Sequence, residues 1–153
     1  MHSSLPLRRA FVVLALIVST SAIGLAWIAR PVDAAGEALK GAMQQLDASL
    51  KVLSKGVTAE NRAASLEELA KFETAVMTAK AQSPDSASKV DEKKRDAFVA
   101  EFKKTLIEAM EFALTAEVAV LDGKYKEADT LIRNKVSAMK SKGHGKFKTD
   151  GGY

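Results

Sequence analysis

Apolar residues recur at steps of four and three along most of this chain. From Leu39 they fall at Leu39, Met43, Leu46, Leu50 and Leu53, which places them on one stripe of a helix. Gly56 ends that pattern, and Thr58 is positioned to cap the next helix. The second helix carries Leu66, Leu69, Phe72 and Val76 on its stripe. It runs to about Gln82, where Ser83-Pro84-Asp85-Ser86 breaks it. A third helix starts near Val90 or Asp91 and continues to Leu121, with Phe98, Phe102, Leu106, Ala109, Ala113, Ala116 and Val120 inward. Asp122-Gly123 closes it, glycine being suited to the left-handed conformation past a helix end. The fourth helix shows Tyr125, Ala128, Ile132, Val136 and Met139 on one face and reaches Gly143; Gly145, Gly151 and Gly152 predict a frayed tail.

Each helix has one apolar stripe and cannot stay folded alone. The links at Gly56 and Gly123 are short, and short links between long helices make antiparallel neighbours. The expectation is an all-α fold: an antiparallel up-down-up-down four-helix bundle over residues 35–148, with 149–153 as a flexible tail. Only 6% of residues are aromatic while 47% are hydrophobic, which agrees with helices and not with a sandwich or barrel. The inward stripes are narrow and rich in Ala. No second long apolar seam stands out, which predicts a monomer or weak association.

The first thirty-four residues read as an export signal. Arg8 and Arg9 precede an uncharged run from Ala10 to Ala29, and Val32-Asp33-Ala34 offers small residues for cleavage after Ala34. The run is also long enough to span a bilayer, so the leader is either cleaved or kept as an anchor. Ser19, Thr20, Ser21 and Gly24 interrupt it and favour cleavage. In both cases the body lies outside the cytoplasm: periplasmic once cleaved, or membrane-anchored and facing the periplasm if the leader is retained.

Without residues 1–34 the chain keeps 20 basic and 18 acidic side chains. That near-neutrality argues against nucleic-acid binding. Its one basic run is terminal: Arg133, Lys135, Lys140, Lys142, Lys146 and Lys148. Such a run either complements the dipole of its own helix or offers a docking patch to an acidic redox partner.

The residue inventory removes most enzymes. The chain has no Cys, so it has no disulfide, thiolate metal site or covalent haem attachment. His144 is the only histidine after the leader. Zinc sites and di-iron Glu-x-x-His pairs need more, and there is no Gly-x-Ser-x-Gly elbow. A cofactor held by two ligands in an apolar bundle remains. Haem b takes a Met and a His as its axial pair. Met43 lies near the start of the first helix and His144 near the end of the last, and an up-down-up-down bundle brings those two ends together.

The segment Met43-Gln44-Gln45-Leu46-Asp47-Ala48-Ser49-Leu50-Lys51-Val52-Leu53, the turn Gly123-Lys124-Tyr125-Lys126-Glu127-Ala128 and the closing His144-Gly145-Lys146-Phe147 resemble those of the cytochrome b562 family. The resemblance covers roughly residues 36–148. It implies a periplasmic electron-transfer protein, not an enzyme. One non-covalent haem b would be held per chain by Met43 and His144, with Phe98 and Phe102 lining a ring face. This chain has one residue more between Gly123 and His144 than the family pattern, and Gly143 where an aromatic is usual. At about 100° per residue a straight helix carries His144 off the inward stripe, and Gly143 and Gly145 are the positions where the backbone could turn it back. The competing function is a haem-free exported bundle acting as a binding or stress helper, with His144 solvated.

Overall fold

The computed structural model describes residues 32–147, and side chains from Ala35. The leader upstream of Val32 and the tail 148–153 lie outside the described residues. Among the described residues every regular element is helical. Helix α1 spans Val32–Leu53, α2 Arg62–Lys80 and α3 Glu92–Leu121. The fourth helix is composite: α4 (Tyr125–Leu131), a π-helical turn (Ile132–Val136) and α5 (Ser137–Phe147) follow without a break. A 3-10 turn, Asp85–Lys89, occupies the link after Pro84. Because α1 begins at Val32, the expected cleavage point after Ala34 falls in its first turn. No described helix is long and apolar enough to cross a membrane.

Local chemistry explains where the helices stop. Gly56 and Gly123 have φ of +113° and +75°, a region that costs other L-residues energy. At Gly123 the amide of Lys124 donates to Ala119 and that of Gly123 to Val120, the paired closure that satisfies orphan carbonyls at a helix end. Thr58 does not cap α2 directly. Asn61 occupies the cap position, and its side chain ties the preceding turn together, accepting from the Thr58 amide at 2.8 Å and donating to the Gly56 carbonyl at 2.8 Å. At the start of α3, Asp91 accepts from the Lys93 amide at 3.0 Å, a side-chain cap typical of helix starts.

The stripes meet in one core. Leu39, Leu46, Leu50, Leu53, Leu69, Phe72, Val76, Phe102, Leu106, Val120, Ile132 and Val136 are buried together. Each fully buried aliphatic of this size stabilises the fold by about 1.5–3 kcal/mol. Along α3 the inward Ala109, Ala113 and Ala116 let neighbouring backbones approach. Helix α1 packs along α2, α2 along α3, and α3 along the composite fourth helix, whereas α1 makes no close backbone packing of comparable extent with α5. That looser flank of α1 is where the site lies.

Candidate functional site

The cleft opens between α1 and α5. It is lined by Met43, Leu46, Asp47 and Leu50 from α1, and by Phe72 and Val76 from α2. Helix α3 contributes Phe102, Thr105, Leu106 and Ala109. The composite fourth helix contributes Val136, Met139, Lys140, Gly143, His144 and Phe147. The enclosed volume is about 60 Å³, well below the roughly 300–1,000 Å³ of small-molecule sites. A flat ligand the size of a porphyrin therefore needs the two walls to move apart. Met43 and His144 are both half-buried and line this one cleft from opposite walls.

The π-helical turn decides where His144 points. Sixteen residues on from the buried Ala128, a straight helix would place His144 about 160° away at about 100° per residue. The π turn absorbs one extra residue, which removes roughly 100° of that offset. Val136, Lys140, Gly143 and Phe147 then form the inward row, with Met139 on one side and His144 on the other. The expected turning of the chain at Gly143 and Gly145 does not occur: α5 runs regularly through both to Phe147, and neither has positive φ. The π turn is held by Ser137, whose amide and hydroxyl both donate to the Ile132 carbonyl. Both β-branched ends of the turn, Ile132 and Val136, stay buried.

Other groups hold the end of α5 in place. The Ser86 hydroxyl of the 3-10 turn donates to the Phe147 carbonyl at 2.7 Å, satisfying one of the acceptors a helix end leaves free. The Phe147 ring packs edge-on against Phe98 at 5.2 Å and Phe102 at 5.3 Å between centroids. This separates the two expected aromatics. Phe102 lines the cleft, while Phe98 is not among its lining residues and supports it through Phe147. The reason is the width of the stripe: four residues along α3, Phe98 is half-buried towards its first turns and meets the end of α5 instead of the opening.

The ion pairs lie at the rim. Lys140 pairs with Asp47 at 3.0 Å and bridges α5 to α1 across the cleft. Lys142 pairs with Glu108 at 3.3 Å, Lys146 with Glu101, and Arg133 with Asp129 at 2.8 Å. The hydrogen bond from Lys146 holds the Glu101 carboxyl below its ordinary pKa. Much of the basic run thus fastens the fourth helix to acids of α1 and α3, a use that neither expectation for it contained. Lys148 lies outside the described residues.

The chemistry of the lining suits haem b, while its enclosed volume does not hold one without the walls moving. The lining is apolar, it presents one thioether and one imidazole, and Gly143 leaves space beside His144 where an added Cβ would meet nothing within 4 Å. Among the described residues no cluster of three His, Asp, Glu or Cys side chains that could hold a metal ion is present. Sequence reasoning had placed Phe72, Val76 and Met139 on inward stripes without assigning them to the site. Their signal was present, but their convergence on one opening was not. No protein-family model matches the chain, and no curated protein matches it.

Proposed function

We propose that this protein is an exported haem b-binding electron carrier, with Met43 and His144 as axial ligands and one non-covalent haem per chain. The observation that carries this reading is the convergence of Met43 and His144, from the first and last helices, on opposite walls of one apolar cleft. We read the four helices as an antiparallel up-down-up-down bundle. Two groups of contacts support that topology. Ser86 meets Phe147 at one end, and Gly56 lies near Arg133 and Asp129 at the other.

Bound haem would supply a one-electron ferric–ferrous couple. The chain's own residues would do the rest. The His144 imidazole and Met43 thioether would hold the iron, a role that fits electron passage and not bond-making. Phe72, Phe102 and Leu106 would keep water from the interior, and a drier site shifts the potential. Lys140 and Asp47 would mark the polar edge. A redox partner would dock on the basic run 133–148, exchanging its internal ion pairs for the partner's acids, and such docking weakens with salt. The leader sequence supports a location in the periplasm.

The test is the visible spectrum of the processed protein with haem. Low-spin bands that sharpen on reduction are expected, together with a melting temperature raised by haem. At haem concentrations about 100 times the dissociation constant the stabilisation is about 2.7 kcal/mol. His144→Ala should lose the low-spin bands and most of the melting shift. Met43→Ala should retain haem but with a lower reduction potential, because a thioether favours ferrous iron. A protein that leaves free haem unchanged would overturn the proposal in favour of a haem-free exported bundle.

A further inference from the structure

The outer face of α3 carries a second apolar stripe that the other described residues leave uncovered. Ile107, Leu114, Val118 and Leu121 are 42, 44, 56 and 52% exposed. Steps of seven, four and three keep them within about 60° of one another, roughly 130° round the helix from the buried stripe. Single exposed apolar residues need no explanation, but a contiguous row of them marks a contact surface. The expectation that the chain has no second seam is therefore corrected: the inward stripe drew the eye because it is longer and regular, and exposure alone separates the two.

The charges of α3 indicate what fits this stripe. Residues 92–104 carry Lys93, Lys94, Arg95, Lys103 and Lys104 against three acids, while residues 105–121 carry Glu108, Glu111 and Glu117 and no base. That polarity opposes the helix dipole, which favours acids at the start and bases at the end. It becomes favourable when a second α3 runs antiparallel about the middle of the stripe, setting Lys103 and Lys104 beside the partner's acidic half. We propose that a second copy of this chain docks on α3 in that orientation, about a two-fold axis. With Ile107 opposite the partner's Leu114, the symmetry repeats the contact. Ala100 then falls opposite the partner's Leu121, and Lys103 beside the partner's Glu117.

The arrangement also predicts its own strength. In this register residues 100–121 of each α3 overlap, about 33 Å long and about 10 Å across, so the contact covers about 330 Å² per copy and about 660 Å² in all. Stable complexes bury about 1,200–2,000 Å². The dimer is accordingly weak and reversible, with a dissociation constant on the order of micromolar to millimolar. Within each copy, burial and, after it, the charge of Glu117 hinder ionisation of Glu73. A lysine arriving beside Glu117 relieves that crowding.

Sedimentation velocity of the processed protein, from about 1 μM to about 1 mM, tests this range; the unprocessed chain is run in parallel. A sedimentation coefficient that rises with concentration is expected. Leu114→Glu alters an exposed residue, so its helical circular dichroism should be unchanged. It should raise the dissociation constant at least about tenfold, because symmetry brings two carboxylates into the contact. Lys103→Glu and Glu117→Lys should each weaken association about threefold to tenfold, and the double reversal should restore it. A processed protein that stays monomeric over the whole range overturns the proposal, and a double reversal that fails to restore association overturns the antiparallel pairing. An unprocessed chain that is monomeric yet protects α3 from amide exchange assigns the stripe to residues 10–29 and overturns the second copy as occupant.

Discussion

The two ends of this molecule are built from the same kinds of stripe and pack in opposite ways. Around Gly56 and Gly123 the helices close completely: Leu53, Val57, Leu69, Val120 and Ile132 are buried around the fully enclosed Ala116 and Ala128. Around Met43 and His144 the inward positions are longer, with Leu46, Phe72, Phe102 and Met139 lining an opening. Small residues let backbones approach until no ligand-sized space remains, as in a close-packed interior. At the cleft an added Cβ on Gly143 would meet nothing within 4 Å, and α1 and α5 do not pack closely. The difference teaches that a site in a bundle is made by a mismatch in side-chain size as much as by its ligands.

The largest effects that could break this comparison come from truncating the same side chain at each end. Leu69→Ala at the closed end should cost about 2–5 kcal/mol in chemical denaturation, through lost transfer energy and a new cavity. Leu106→Ala, whose side chain already faces the opening, should fall at the lower limit of about 2 kcal/mol. Added haem should separate them further, with Leu106→Ala losing haem affinity and Leu69→Ala keeping the same haem-dependent shift. Equal costs and equal haem responses would abolish the distinction between the ends.

A smaller effect sits beside Phe72. Glu73 has a buried Oε1 without a hydrogen-bond partner, and burial, aided by Glu117, raises its pKa above 4.5. An acid whose folded pKa is raised binds its proton more tightly in the folded state. The penalty is thus fully present above the folded pKa, fades as pH falls through it, and is gone below the unfolded value. Glu73→Gln should raise the melting temperature at neutral pH, and the gain should vanish below about pH 4, near the unreacted carboxyl range. A gain that is independent of pH would point to packing as its cause.

The smallest expected change is the most informative about the joint between the ends. The π turn begins at Ile132 in the closed core and finishes at Val136 in the cleft. Deleting the exposed Asn134 should convert it to ordinary α-helix while leaving both flanks in register. Stability should change by less than about 1 kcal/mol, the scale of a single hydrogen bond, and the haem spectrum should persist. If the deletion removes the spectrum while the protein stays folded, the π turn does more than absorb a residue.

The helices and much of the core were legible because they depend on neighbours three and four residues away. Leu39, Leu50, Phe72, Val76, Phe102 and Ile132 are buried as their periodicity predicts. The breaks at Gly56, Pro84 and Gly123 fall where glycine conformation and proline geometry require them. Met43 and His144 stood out as candidate residue types in the first and last helices, and both line the cleft. What periodicity misjudged was the end of the last helix, which continues through Gly143 and Gly145 because Ser86 and the aromatic contacts of Phe147 hold it from outside.

Composition and local pattern by themselves determined that this chain is helical, where its helices break and which face of each turns inward, since those properties are set within a few turns of backbone. Only the tertiary structure decided that the extra residue becomes a π turn, that Phe102 and not Phe98 reaches the cleft, and that the basic run is tied to acids on α1 and α3. It also decided that Ile107, Leu114, Val118 and Leu121 stay uncovered. The physical reason is common to all four. Each depends on what a distant helix places opposite a side chain, and a linear pattern records the spacing of residues along one helix but not the partner across from it.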